Sequence, residues 1–135
     1  MVKLVEAAID EHRPSIVYTQ HGGDVNVDHR CTYQAVLAAT RPGPGQRVTE
    51  VLAFPVGSST DRAFQRNSPR FMPRLLVDVT DTIDTKVEAM ACYPDEMRPF
   101  PHPRSPETLR ATAAHWGSAV GVAAAEPFEP VRILR

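Results

Sequence analysis

A short polar segment near the N-terminus concentrates the side chains that could do chemistry. Within nine residues it places two histidines, two aspartates and an asparagine: His21, Asp24, Asn26, Asp28 and His29. Imidazole nitrogens and carboxylate oxygens are common zinc ligands, and a side-chain amide can donate a hydrogen bond to a developing oxyanion. These residue types therefore indicate a metal site or a hydrolytic site.

The spacing of these residues leaves simpler interpretations open. His21 and Asp24 could form a ligand pair, but the two glycines between them could equally form a tight turn that Asp24 caps. The pair Asp28-His29 is, on its own, more often a surface helix cap than part of a metal site. Spacing alone therefore does not decide between a ligand set and a cap.

Hydrophobic patterns predict the elements that would position this segment. A β-branched run at 15–19 predicts a strand before it, and apolar residues at helical spacing predict a helix that begins near Asp28 or His29. Further strands are predicted at 49–54, 75–79 and 131–134, and further helices over the first dozen residues, from Thr80 or Asp81 to about 91, and from about 106 to 116. This alternation predicts an α/β fold with a largely parallel sheet, whose ligands bind at the carboxyl ends of its strands.

Composition excludes several classes of function. The chain has 135 residues, 42% of them hydrophobic, which predicts a single domain over 1–135. Fifteen basic and sixteen acidic residues give a net charge of -1. The chain therefore lacks the excess of positive charge that binding to nucleic acid or to an anionic membrane surface would need. Because acidic residues interrupt the apolar N-terminus, no signal peptide is predicted, and we expect a cytoplasmic protein.

The whole stretch from Ile16 to Arg30 resembles a segment of the PIG-L/LmbE-like zinc-dependent N-deacetylases. In that family a Thr-His and a Gly-Asp precede an Asp-His-Arg that opens a helix. Later segments match the family in order: Phe71-Met72-Pro73, Val77-Asp78-Val79-Thr80, Lys86, Ala89, Tyr93, Glu96-Met97-Arg98, Pro101-His102-Pro103-Arg104-Ser105 and Ala125-Glu126-Pro127-Phe128. The resemblance extends from about Val2 to about Leu134 and implies a Rossmann-like, LmbE-like sheet with flanking helices.

The resemblance also implies roles for individual residues. His29 would be a zinc ligand, and Asp28 its neighbour that hydrogen-bonds close to the metal. Asn26 stands where the family often has a histidine that stabilises the oxyanion. The side-chain amide of Asn26, or a residue elsewhere, would then take this role. Arg98 and His102 would bind substrate.

One signature of the family is missing. Its N-terminal His-Pro-Asp-Asp, which supplies two zinc ligands and the catalytic base, has no counterpart around any of the five histidines. A catalytic zinc needs three protein ligands, and one histidine cannot hold it. The resemblance therefore covers only the C-terminal part of the fold, with the N-terminal part missing. The chain would be half of a split enzyme, a fragment of a longer protein, or a remnant that binds without catalysing.

These observations lead to two hypotheses of function. The first is a zinc-dependent hydrolase that removes an N-acetyl group from an N-acetylglucosamine-like sugar or conjugate, incomplete as this chain alone. It would require a complementing N-terminal half or a homo-oligomer. The second is a non-catalytic binding or assembly subunit derived from such a deacetylase.

Overall fold

A computed structural model describes residues 1–64, 66–67 and 69–135. The elements, in chain order, are α1 (Val2–His12), β1 (Ile16–Gln20), α2 (Val27–Ala39), β2 (Glu50–Phe54), a 3-10 helix (Asp61–Ala63), β3 (Leu75–Asp78), α3 (Ile83–Ala91), α4 (Pro106–Val120) and β4 (Ala125–Ile133). The four strands form one sheet in the order β1-β2-β4-β3. The predicted α/β class, with a sheet flanked by helices, is confirmed.

The sheet is mixed in direction. β1 and β2 pair in parallel from Ile16–Glu50 to Gln20–Phe54, as the order strand, helix, strand predicts. β4 pairs with β2 in the antiparallel direction and begins six residues earlier than the strand predicted at 131–134. Pro127 and Pro130 explain the difference, because proline lacks a ladder donor and lowers the strand signal of its neighbourhood.

The chain divides into two compact units, so the expectation of one domain stays a prediction. The first consists of Met1–Pro73 and Phe128–Arg135, and the second of Arg74–Pro127. The core of the first unit contains the buried valines Val36, Val48 and Val51, against which α1, β1 and β4 pack partly buried valine and isoleucine side chains.

α1 ends where the sequence predicted. Arg13 adopts the left-handed conformation (φ 47°), and its N–H donates to the carbonyl of Ile9. Pro14 follows and disfavours helical backbone at the residue before it. The chain therefore leaves the helix and enters β1.

The second unit is organised by α3 and α4. Ser105 caps α4, accepting a 3.1 Å hydrogen bond from the N–H of Thr108, and Gly121 ends the helix in the left-handed conformation (φ 82°). Arg110 of α4 pairs with Asp84 of α3 at 2.8 Å. Across the described residues, no helix is both long enough and apolar enough to span a membrane.

Candidate functional site

The candidate site lies in the first unit, where β1 and β2 end. Because the two strands are parallel neighbours, their carboxyl ends lie at the same edge of the sheet, and the loops that follow them meet there. Ser59 and Thr60, from the loop after β2, reach the carboxylate of Asp24, in the loop after β1, with oxygen-oxygen distances of 2.9 and 2.8 Å. The site is therefore assembled from segments 35 residues apart.

Asp24 is the centre of this site. Its side chain is fully buried. One carboxylate oxygen accepts from the backbone N–H of Asn26 at 2.8 Å, and the other accepts from Ser59 and Thr60. That second oxygen also lies 3.1 Å from Nδ1 of His29. A buried carboxylate needs such donors, because desolvation without them would be costly.

The surroundings of Asp24 favour its ionised form. Burial, the largest single influence, raises the pKa of Asp24, but hydrogen bonds from the Asn26 N–H, His29, Thr60 and Ser59 together outweigh it. The net result is a pKa below the ordinary carboxyl value. Asp24 is therefore a fixed negative charge beside His29 at neutral pH.

The contact with Asp24 determines how His29 presents its ring. A carboxylate can only accept a hydrogen bond, so Nδ1 of His29 carries a proton, and in the neutral imidazole Nε2 carries the lone pair. The side chain of His29 is 20% exposed, and Nε2 has no hydrogen-bond partner among the residues that the structure describes. The neutral ring of His29 thus directs Nε2 away from Asp24, and a buried acid holds the ring in position.

Asn26 and Asp28 lie at the start of α2. Oδ1 of Asn26 caps the helix by accepting from the N–H of Asp28 at 2.9 Å, which leaves the side-chain NH2 of Asn26 for other acceptors. Asp28 is exposed in the first turn. The carboxylate next to the ring of His29 is thus that of Asp24, and the role predicted for Asp28 stays a prediction.

His21 is buried and engaged by its surroundings. Its Nε2 lies 2.9 Å from the carbonyl oxygen of Pro69, and its ring contacts Phe71 edge to face at 5.3 Å. Its Nδ1 lies 3.2 Å from a carboxylate oxygen of Glu129, although the two atoms do not align as a hydrogen bond and have no other such partner within the described ranges. Both atoms are buried. His21 therefore anchors the loop.

Two further contacts keep this loop rigid. One nitrogen of the Arg30 guanidinium donates to the carbonyls of Asp24 and Val25, at 2.8 and 2.9 Å. Tyr33 packs against the loop so closely that a Cβ on Gly22 would lie 2.6 Å from its ring. Burial, followed by the charge of Glu129, raises the pKa of Tyr33, which remains a neutral phenol.

Gly23 gives a direct test of this packing. A Cβ at Gly23 would lie 2.0 Å from the carbonyl oxygen of Pro69 and 2.8 Å from Nε2 of His21. We therefore expect Gly23→Ala to lower the free energy of unfolding by about 2 kcal/mol, because backbone must move to admit the methyl group. Gly43→Ala is the matched control, since nothing lies within 4 Å of its Cβ position. Equal stabilities of the two variants in urea unfolding would contradict the packing described.

Arg98 and His102 lie in the second unit. Arg98 is exposed. Nδ1 of His102 accepts from the backbone N–H of Arg104 at 3.1 Å, which places the ring proton on Nε2. The substrate-binding roles of both residues stay predictions.

The described residues do not form a complete zinc site. Nε2 of His29 fits the requirement for a neutral imidazole ligand. The carboxylate of Asp24 is occupied by its four hydrogen-bond partners, and no group of three potential ligands occurs within residues 1–64, 66–67 and 69–135. Because a catalytic zinc needs three protein ligands, this part of the chain would supply one of them.

Ser59 and Thr60 were not singled out from the sequence. Both follow the predicted strand at 49–54, in a run of small hydroxyl residues, Ser58-Ser59-Thr60. Such a run at the carboxyl end of a strand is a weak signal on its own. It gains meaning only when the neighbouring parallel strand ends in an acidic loop, as β1 does with Asp24.

Comparison with solved structures relates this architecture to known proteins. A conserved protein of Thermus thermophilus superposes with a TM-score of 0.73 at 24% identity, over 97% of this chain and 58% of the other. The N,N'-diacetylchitobiose deacetylase of Pyrococcus horikoshii, solved with an inhibitor, superposes with a TM-score of 0.68 at 17% identity. The chain shares its fold with a deacetylase.

These matches cover nearly all of this chain but only part of each solved structure. The deacetylase match covers 97% of this chain and 51% of the deacetylase, so the chain spans little more than half the length of either solved structure. No known family profile matches the chain, and no curated protein is significantly similar in sequence. At these identities the likeness establishes the fold.

Proposed function

We propose that this chain forms part of an N-deacetylase that hydrolyses the N-acetyl group of an N-acetylglucosamine-like sugar or conjugate. The observation that carries the proposal is the 3.1 Å contact between Asp24 and His29 at the carboxyl ends of two parallel strands. It orients the second nitrogen of the imidazole, unprotonated in the neutral ring, at the position where such sheets bind ligands. The fold shared with a diacetylchitobiose deacetylase supports the same reaction class.

The residues of this chain suit parts of an amide hydrolysis. The reaction needs donors directed at the developing oxyanion and a group that positions the attacking water. The helix cap uses only Oδ1 of Asn26, so its side-chain NH2 is the donor that this chain would contribute to the oxyanion. His29 would contribute one ligand to a zinc ion. The remaining ligands and the carboxylate base would come from a complementing N-terminal half of the fold or from a second copy of the chain.

A second candidate is a non-catalytic binding or assembly subunit. β1 lies at the edge of the sheet, and its side chains Ile16 and Tyr18 are 40% and 54% exposed. Charged residues and prolines usually protect such edges from pairing with other chains, and the run 16–20 contains neither. An unprotected edge favours a protein whose main role is to pair with a partner.

Acetate release distinguishes the two candidates. The tagged chain, isolated from its source cells with whatever assembles on it, is incubated with N,N'-diacetylchitobiose and with N-acetylglucosamine. We expect release of acetate, reduced by about 100-fold or more in His29→Ala, because the oriented nitrogen is lost. His12→Ala is the control, since His12 is an exposed histidine on α1. Absence of release, or full release by His29→Ala, would contradict the deacetylase proposal.

A further inference from the structure

His21 and Glu129 face each other inside the first unit through two polar atoms that form no hydrogen bond. Nδ1 of His21 and a carboxylate oxygen of Glu129 are 3.2 Å apart. Both atoms are buried, and neither has a hydrogen-bond partner among the residues that the structure describes. Buried polar atoms in folded proteins usually have such a partner, because an unpaired one costs free energy. The pair is therefore an exception to that rule.

The other ring nitrogen of His21 explains why the bond is missing. Nε2 lies 2.9 Å from the carbonyl oxygen of Pro69, which can only accept, so Nε2 carries a proton. In the neutral ring Nδ1 is then a bare acceptor, and the ionised carboxylate of Glu129 is an acceptor as well. Two acceptors cannot bond to each other. A second proton on the ring turns Nδ1 into a donor within reach of Glu129.

The two residues belong to parts of the fold that hold the candidate site. His21 directly follows β1, and two glycines separate it from Asp24, the buried acid that contacts His29. Glu129 lies on β4, which pairs with β2. A hydrogen bond between His21 and Glu129 would therefore fasten the start of the site loop to β4.

The other elements around His21 do not supply the missing bond. The segment 69–71 contributes a backbone carbonyl to Nε2 and an aromatic ring to the face of the imidazole. From α2, Tyr33 packs against the same loop. Tyr33 remains a neutral phenol, because burial and then the charge of Glu129 raise its pKa. β2 contributes a backbone carbonyl to the N–H of His21.

The charged groups of the loop and its flanks are engaged elsewhere. The carboxylate of Asp24 accepts from its own set of donors and contacts His29. The guanidinium of Arg30 donates to two carbonyls of the loop. Arg70, beside Pro69, is exposed. Glu129 is therefore the ionisable group that faces the ring of His21.

We infer that the protonation of His21 controls how firmly the loop of the candidate site is held to the sheet. In the doubly protonated ring, Nδ1 donates to Glu129, and the loop is joined to β4 as well as to Pro69. In the neutral ring this bond is lost and two buried acceptors face each other, so the loop separates more readily. The hold is thus strongest in mild acid and weakens as the pH rises. The inference concerns the loop alone and does not depend on the proposed reaction.

Hydrogen exchange of backbone amides tests the inference. The N–H of His21 donates to the carbonyl of Phe54 at 3.0 Å, so its exchange requires the start of the loop to separate from β2. Protection is measured relative to an unstructured chain at about pH 5 and about pH 8, the range in which an imidazole ordinarily changes charge. We expect about tenfold greater protection at the lower pH, because one charge-assisted hydrogen bond is present only there. The N–H of Thr40, at the end of α2, is the internal reference and should show no such change.

Glu129→Gln separates the inference from a purely structural role of Glu129. The side-chain NH2 of glutamine can donate to the bare Nδ1 of the neutral ring, so the bond no longer needs a second proton. We expect the N–H of His21 in this variant to be protected about equally at the two pH values. Glu50→Gln, at the opposite end of β2, is the matched control and should keep the pH dependence of the unmodified protein.

Three results would overturn the inference. The first is equal protection of the His21 N–H at both pH values in the unmodified protein, which does not depend on the folding of any variant. The second is reduced protection at both pH values in Glu129→Gln, because Glu129 would then support the loop whatever the charge of the ring. The third is a pH dependence that persists in Glu129→Gln. It would belong to His29, which also changes charge in this range and contacts Asp24 in the same loop.

Discussion

Replacing Asp24 by alanine is expected to lower the free energy of unfolding by about 3 kcal/mol, because it removes a buried carboxylate and leaves several part-buried donors without their acceptor. The donors are the N–H of Asn26, the hydroxyls of Ser59 and Thr60, and Nδ1 of His29. An unsatisfied donor costs about 1–3 kcal/mol when it is fully buried. These donors are part-buried, so water would recover part of the sum. Urea unfolding at neutral pH measures the difference.

Asp28→Ala is the matched control for this prediction. Asp28 stands four residues further along, is exposed, and contributes to α2 chiefly through its charge in the first turn. Such a charge is worth about 0.3–1 kcal/mol. If Asp28→Ala proved as destabilising as Asp24→Ala, the assignment of the central carboxylate to Asp24 would be wrong.

The second large effect is a loss of stability in acid. The pKa of Asp24 lies below its ordinary value in the folded protein. Burial is the largest single influence and raises this pKa, but the hydrogen bonds to the carboxylate together outweigh it. The stabilisation that follows is fully present above the unfolded-state value of about 3.9 and is lost as the pH falls through the lower folded-state value. The free energy of unfolding should therefore fall with pH in the acid range.

A comparison of variants isolates the share of this slope that belongs to Asp24. The pKa of Asp78 is also lowered, through the hydroxyl and N–H of Thr80, so the slope of the unmodified protein has more than one source. Asp24→Asn should be less stable at neutral pH and should lose less stability between neutral pH and about pH 3 than the unmodified protein does. An unchanged slope in Asp24→Asn would show that its carboxylate does not titrate with folding.

Local patterns predicted the elements around the site well. The helix expected near Asp28 or His29 begins at Val27, because Asn26 is a good N-cap and its Oδ1 accepts from the second residue of the helix. The strand predicted at 49–54 matches β2, and its parallel pairing with β1 follows from the intervening helix. These features depend on residues close together in the chain.

The partner of His29 was not predictable in this way. Sequence reasoning considered Asp28, its direct neighbour, and interpreted Asp24 as a turn cap or a ligand. The choice between Asp28 and Asp24 depends on the path of the loop, which folds back over the first turn of α2. Asp24, five positions before His29, thereby reaches Nδ1 of its ring. It also requires the register of β1 and β2, which brings Ser59 and Thr60 to the same carboxylate.

The tautomer of His29 is the most direct test of the account, because the proposed chemistry depends on an unprotonated Nε2. Long-range proton–nitrogen NMR correlations of the neutral imidazole ring report which nitrogen carries the proton. We predict a proton on Nδ1 of His29, and loss of this preference in Asp24→Ala. A proton found on Nε2 in the unmodified protein would contradict it, since Asp24 would then not orient the ring.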